Sequence, residues 1–188
     1  ETAVAAGALV ARGTQTRLIP IDAEGNIPAQ AWEALNQADA IVFGSPTYMG
    51  NVSWQFKKFA DASSKPWVAR TWQNKIAAGF TNSASINGDK HAVLQSLHTL
   101  AMQHGMLWVG TGMIAANTKS AQRNDLNWIG SFAGLMAQSP ADASPEEGPL
   151  PGDLDTARRF GARIAETAAR WRSAIAQPAR KEPELQPA

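Results

Sequence analysis

Residues Asp39–Trp54, Asp-Ala-Ile-Val-Phe-Gly-Ser-Pro-Thr-Tyr-Met-Gly-Asn-Val-Ser-Trp, constrain the fold more than any other stretch. They open with a short apolar run, Ala40 to Phe43, with the length and β-rich make-up of a strand buried on both faces. A strand of that kind needs cover on each side, which means a sheet between two layers of helices. Gly44, Ser45 and Pro46 then break the run, Tyr48 and Met49 form a tip, and a helix starts near Asn51. A loop at the carboxyl end of a parallel strand, leading into a helix N-terminus, is where open α/β sheets bind ligands. Without context the same residues also read as a plain strand-to-helix turn carrying an incidental aromatic.

The rest of the chain alternates in the same way. Thr2 to Ala11 reads as a helix ended by Gly13, and Thr16–Ile21 as a strand whose Pro20 suits a sheet edge. Asp22 to Asn26 is a turn, and Pro28 opens a helix to about Gln37 with Trp32 and Leu35 on one side. After the strand Asp39–Ser45, a helix over about Asn51–Ala62 carries Val52, Phe56, Phe59 and Ala60 as one apolar stripe. Trp54 falls off that stripe and faces a ligand, a partner or solvent; Lys65-Pro66-Trp67 closes the unit. Asn74–Thr81 is the next strand, Asn82–Asp89 a loop of small polar residues, and Lys90–His104 a helix with Leu94, Leu97 and Ala101 inward and Gly105 as a left-handed cap. Met106–Thr111 is another strand. Gly112–Gly152 shows little regular structure, and a loop that long is normally functional or an assembly element. Asp153 then caps a long helix with Leu154, Ala157, Gly161, Ile164, Ala168, Trp171 and Ile175 at 3–4 spacing, its arginines on a solvated face. One domain over residues 1–176 follows, with a Pro- and charge-rich tail, 177–188, expected to be disordered. Helices of this length between strands predict an α/β fold with a parallel sheet.

Composition removes several functions. Net charge is +1, from 17 Lys and Arg against 16 Asp and Glu, so nothing favours nucleic acid or an acidic membrane surface. The absence of cysteine excludes disulfides, thiolate metal sites and Cys nucleophiles, and fits a reducing, cytoplasmic setting. No apolar run approaches the roughly 20 residues of a membrane span. His91, His98 and His104 share a helix at spacings that do not match metal ligation, and their expected roles are structural or at the surface. His104 in the final turn suits the helix dipole. Asp89-Lys90 reads as a helix cap, with a position beside a bound ring as the alternative. No nucleophile elbow or phosphate-binding Walker loop is present, so hydrolase and nucleotide-hydrolysing readings have no support.

Three polar loops, Ser45–Asn51, Asn82–Asp89 and Gly112 onward, follow consecutive strands and emerge at one sheet edge in right-handed connections. They converge on one crevice. The second can present backbone N–H groups and hydroxyls to a planar, hydrogen-bonding heterocycle; Tyr48 and Met49 can cover an aromatic face, and Trp67 and Trp128 can close it.

At this point Gly44-Ser-Pro-Thr-Tyr-Met-Gly-Asn-Val52, Trp67, Lys75…Phe80-Thr-Asn-Ser83 and His104-Gly-Met106 resemble the flavodoxin-like NAD(P)H:quinone oxidoreductases of the WrbA type and related FMN reductases. The similarity runs in order from Ala3 to about Ala169. It implies a flavodoxin-like three-layer sandwich with strand order 2-1-3-4-5, non-covalent FMN, and a homodimer or homotetramer, often with sites shared across subunits. Pro46, Thr47, Tyr48, Met49, Gly50 and Asn51 match the family's first flavin loop, of which Thr47, Tyr48 and Met49 would contact the ring. Asn82, Ser83, Ala84, Ser85, Ile86 and Asn87 match its second loop. Trp67 matches an aromatic flanking the substrate space, with Trp128 as a further substrate-side candidate. The implied activity is two-electron transfer of hydride from NAD(P)H to a quinone-like acceptor, with the chemistry on the flavin and no catalytic side chain required. A flavodoxin-like electron carrier or interaction protein with weak or no FMN binding is the alternative.

Three departures stand out. Gln103 occupies the position of a histidine that contacts flavin in the family, and it can donate a hydrogen bond but carries no charge. The second loop reads Asn-Ser-Ala-Ser-Ile-Asn-Gly and is not glycine-rich. The family's first strand and its phosphate loop precede the first helix, and this sequence begins after them. A central strand of about five buried residues, at roughly 2 kcal/mol each, is comparable to the whole stability of a domain. The resemblance therefore predicts that such a segment belongs ahead of Glu1, or that the gap is bridged in another way.

Overall fold

A computed structural model of the protein describes residues 1–176; the tail expected to be disordered lies outside the described residues. Among the described residues, six helices and five strands follow in the order α1 (Thr2–Ala8), α2 (Ala29–Gln37), β1 (Ala40–Tyr48), β2 (Asn51–Val52), α3 (Trp54–Ala62), α4 (Ser64–Val68), β3 (Ile76–Ser83), α5 (Lys90–Gln103), β4 (Leu107–Trp108), β5 (Leu135–Gln138) and α6 (Pro151–Ala176). β1 and β3 form the spine, parallel and in register from Ala40 opposite Ile76 to Pro46 opposite Asn82. The sheet separates two apolar layers. Ile41 and Phe43 point into one, with Leu35 of α2, Phe56 and Phe59 of α3, and Val93, Leu94, Leu97 and Ala101 of α5. Ala40 and Val42 point into the other, with Val4 of α1 and Ala157, Phe160, Ile164 and Ala168 of α6. The two-residue period of a strand turns a continuous apolar run into cover for both faces. The flavodoxin-like α/β sandwich is therefore present.

Several elements differ from the sequence reading. β1 runs on through Pro46 to Tyr48 and folds back antiparallel on β2, with Thr47 opposite Val52 and Tyr48 opposite Asn51. The predicted loop is thus a two-residue hairpin. Met49 and Gly50 at its turn have φ of 48° and 73°, the paired positive values that match strand twist. α3 consequently starts at Trp54, where the Ser53 hydroxyl accepts from the Phe56 N–H at 3.3 Å. Lys65-Pro66-Trp67 lies in the short helix α4 rather than in a terminating turn. α1 ends at Ala8, three residues early.

Thr16–Ile21 forms no strand. Its ends are fixed by the turn at Asp22, whose carboxylate accepts from the Asn26 N–H at 2.7 Å, and by Ile19 and Ile21 packing on the core. A strand needs a ladder partner, and between this segment and β1 lies a cavity of about 1180 Å³. Its apolar walls include Ile19, Ile21, Ile41, Phe43, Val4 and Ile164. It occupies the place in the sheet where the family resemblance puts a further strand.

The long segment after Gly112 contains β5, which the sequence reading missed. β4 pairs with the lower half of β3, at Ile76 and Ala77, and β5 with the upper half, from Phe80 to Ser83, so two short strands share one sheet position. In α6 the buried stripe ends at Ala168; Trp171 and Ile175, read as core, are 36% and 63% exposed. Trp171 instead donates its indole N–H to the Asn74 carbonyl at 2.8 Å.

Candidate active site

The pairing of Pro46 with Asn82 brings the β1–β2 hairpin and the loop after β3 side by side at the carboxyl edge of the sheet. Below them the Thr47 and Thr81 hydroxyls share a hydrogen bond of 2.8 Å. The buried Ser45 hydroxyl accepts from the Ser53 N–H at 3.0 Å, tying β1 to the start of α3. Asn51 is joined to α5 through the Ser96 hydroxyl at 3.2 Å. Tyr48 and Met49 stand at the hairpin tip, 63% and 103% exposed.

Asn82 is held by its amide N–H, which donates to Ser139 Oγ at 3.0 Å. Its Oδ1 is buried and has no partner. A buried acceptor without a donor is costly, by about 1–3 kcal/mol, and a donor brought to this atom would relieve that cost. Ser83 turns its hydroxyl to the Ser85 carbonyl at 2.9 Å, and residues 84 to 87 are exposed.

Behind this loop lies a polar cluster. Lys90 is fully buried; its Nζ donates to the carbonyls of Ser85, at 2.5 Å, and Ile86, at 2.8 Å. Burial lowers its pKa, with Asp153 opposing that shift and Arg123 adding to it. Arg123 grips both carboxylate oxygens of Asp153 at 2.8 Å, and this hydrogen bonding raises its pKa. Asp153 also accepts from the Gln138 N–H at 2.9 Å, and the Gln138 side chain donates to the Ala84 carbonyl at 2.9 Å. Asp153, expected as a helix cap, is instead the centre of this cluster. Arg123 also lies 5.1 Å from the ring of Trp128, which sits partly buried above it.

Sequence reasoning did not assign Arg123, Gln138, Ser139 or Asp153 to the site, and it placed Lys90 near the ring only as the alternative to a helix cap. Trp67 and Gln103 are elsewhere: the Trp67 indole donates to the Gln103 carbonyl at 2.9 Å, at the far end of α5. From Lys90 to Gln103 a helix rises by about 20 Å. Within one chain these two residues do not meet the loops.

The model of the NADPH-dependent FMN reductase family matches residues 17–121, more than half the chain. The chain belongs to that family. Flavodoxin FldP of Pseudomonas aeruginosa (strain UCBPP-PA14) is 54% identical over 155 residues, 82% of this chain and 84% of that protein. An NAD(P)H dehydrogenase (quinone) of Geobacter sulfurreducens is 34% identical over 151 residues, 80% of this chain and 72% of that one. Among solved structures, a flavodoxin, WrbA-like protein from Agrobacterium tumefaciens superposes with a TM-score of 0.67 at 50% identity, covering 90% of this chain and 87% of that chain. Membership in the FMN reductase family makes the chain an oxidoreductase with FMN as its cofactor. The residues present fit the ring of that cofactor. The unpartnered Asn82 Oδ1 has the chemistry to accept from an imide-type N–H, and the hairpin carrying Thr47, Tyr48 and Met49 borders the same edge.

Proposed function

We propose that the protein transfers hydride from NAD(P)H to a quinone-like acceptor by two-electron chemistry on bound FMN. The observation that carries this reading is the junction of the two loops at Pro46 and Asn82, with the buried, unpartnered Asn82 Oδ1 beside it. FMN supplies the redox chemistry when bound. The chain's own part is to hold and shield it: Asn82 through its free Oδ1, Thr47 through its hydroxyl, Tyr48 and Met49 as apolar surface at the tip, and Ser83 to Asn87 as the second wall. No side chain at this edge is placed as an acid or base, and none is needed when the acceptor takes its protons from water. Trp128, clamped over Arg123, is the substrate-side aromatic of the same chain.

Trp67 and Gln103 can serve a ring only from a second copy of the chain. We therefore read the protein as a homodimer or homotetramer, with the exposed Trp54 as a contact. A monomer by light scattering, or an assembly unchanged by Trp54→Ala, would remove that contact. No helix among the described residues is long and apolar enough to cross a membrane, and the cytoplasm is the expected setting.

The relative named as a flavodoxin supports a second reading, a carrier that passes single electrons to a partner protein. Visible flavin absorbance after incubation with FMN, followed by NADPH oxidation with benzoquinone, separates the two. A flavin-loaded protein that consumes NADPH only when benzoquinone is present supports the reductase. A loaded protein that is inert to NADPH supports the carrier, and one that takes up no flavin excludes both.

A further inference from the structure

Three consecutive carbonyls of the second loop are turned into the protein and held there by side-chain donors: Ala84 by Gln138, Ser85 by Lys90 and Ser83, and Ile86 by Lys90. In a trans peptide the N–H of the next residue points opposite to the carbonyl. The N–H groups of Ser85, Ile86 and Asn87 therefore face away from the cluster, toward the exposed side of the loop, and none of them has a protein acceptor among the described residues. The arrangement is a row of oriented donors that follows Asn82 and Ser83 in the chain. Such successive N–H groups bind negative or electron-rich groups. Behind them, Lys90 and Arg123 against Asp153 leave one positive charge.

We propose that Lys90 is the positioning residue of the flavin loop, fixing the outward N–H row by holding the Ser85 and Ile86 carbonyls and setting the flavin potential with its buried charge. The inference rests on the proposed FMN site and concerns how this chain holds the carbonyl-bearing edge of the ring. A lysine at the first position of α5 is ordinarily solvated. Here its stem crosses the loop so that its head replaces water as the donor to two backbone oxygens, an arrangement costly in desolvation unless the loop must be rigid. Reduction places negative charge on that edge of the flavin, and a positive charge in a low-dielectric site stabilises the reduced form.

Lys90→Met removes both clamp and charge. It should weaken binding of FMN and of riboflavin alike, by about tenfold each, because the grip it serves is on the ring and not on the phosphate. It should also lower the midpoint potential of the bound flavin. A tenfold change in the ratio of affinities for the oxidised and reduced forms corresponds to about 30 mV for a two-electron couple. Asp153→Asn, which leaves two positive charges, should raise the potential instead. Gln138→Leu frees the Ala84 carbonyl without altering charge, and should weaken both flavins at unchanged potential. A merely structural role would move all three variants in one direction. Equal affinity of Lys90→Met and wild type for both flavins, or potential shifts of the same sign in Lys90→Met and Asp153→Asn, would overturn the proposal. If Lys90→Met does not fold, a potential not raised in Asp153→Asn overturns the charge effect, and unchanged affinity for both flavins in Gln138→Leu overturns the clamp. Backbone order parameters of Ser85 to Asn87 test the clamp without any flavin: about 0.85 in the wild type against less than about 0.6 in the variants. A wild type that binds neither flavin refutes the FMN reading and the charge effect, and the order parameters still decide the clamp.

Discussion

His104 shows how a single buried group sets a pH limit. It lies 6% exposed, with its ring 4.3 Å from the ring of Trp72 and its Nε2 2.9 Å from Ser63 Oγ. The Ser63 hydroxyl has one proton and donates it to the Ala60 carbonyl at 2.6 Å, so it accepts from Nε2–H. Nδ1 is left buried without a partner. A second proton would point at no acceptor, and burial accordingly lowers the pKa below the usual 6.5. Below pH 6.5 the unfolded chain takes up a proton that the folded one refuses. Stability is therefore full above about 6.5 and falls as the pH drops toward the folded pKa. Urea melts at pH 7.5 and 5.5 should show this loss in the wild type, and His104→Gln should shrink the difference between the two pH values. An unchanged pH dependence in His104→Gln would show that other groups carry it. The sequence placed His104 at a helix C-terminus, where a charged form is favoured; the neighbouring Trp72 and Ser63, distant in sequence, reverse that. The site's loops were legible for a related reason, since Pro46–Asn51 and Asn82–Asn87 are contiguous and follow strands. Arg123, Gln138 and Asp153 were not, because a cluster assembled across a long irregular segment leaves no spacing to read.

Among the elements, those with strong periodicity were legible and those defined by neighbours were not. α3, α5 and α6 carry apolar stripes, and β1 and β3 are apolar runs, so their existence follows from local pattern. β5, Leu-Met-Ala-Gln, lacks β-branched and aromatic residues, and becomes a strand only because β3 offers an open upper edge. Thr16–Ile21 is the converse, a strand-like sequence facing a cavity. The α1–α6 crossing is set by two glycines. A Cβ on Gly7 would stand 1.8 Å from the Arg158 carbonyl oxygen, and one on Gly161 would stand 1.9 Å from that of Val4. Gly161→Ala must push the two backbones apart, at a cost of about 1–3 kcal/mol typical of overpacking. Gly7→Ala should cost a similar amount, and the double variant less than the sum, because one separation relieves both. Denaturant midpoints of the four proteins test this; full additivity would show that the helices do not pack this closely. At the hairpin, Gly50→Ala forces a φ of 73° on a residue with a side chain, for about 1–2 kcal/mol, and should weaken flavin binding with it.

At the scale of the whole molecule, the ring site and the cavity beside β1 are linked by one strand. Residues 40 to 46 of β1 pair with β3 on one side, and on the other they border the cavity, while residues 47 and 48 continue upward into the hairpin that borders the flavin loop. Among the described residues, the strand that leads to the proposed ring contacts is thus supported by a ladder along only one edge below the hairpin. Apolar side chains from both layers, Ile41 and Phe43 from one and Val4 and Ile164 from the other, line the cleft together with charged ones such as Arg12, Asp39 and Arg172. A fluorescent naphthalene sulfonate dye tests whether the cleft is open in the native protein: a bright dye, with the near-ultraviolet circular dichroism of packed aromatics retained, shows an open cleft, and a dark one shows that further chain fills it, as the family resemblance predicts. Ala165→Trp places an indole from α6 into the cleft and should cut the dye signal by about half or more. Met49→Ser, at the exposed tip, should leave it within about a fifth of the wild-type value; both figures are order-of-magnitude expectations from the area each change covers. A native protein that leaves the dye dark refutes an accessible cleft. A signal lost in Met49→Ser and kept in Ala165→Trp would move the apolar surface to the hairpin. If the dye and FMN compete only weakly, occupation of the cleft and of the ring site are separate events on one strand. If dye binding in the cleft releases bound flavin, β1 couples them, and stiffening β1 from its open edge should then tighten the flavin site without touching it.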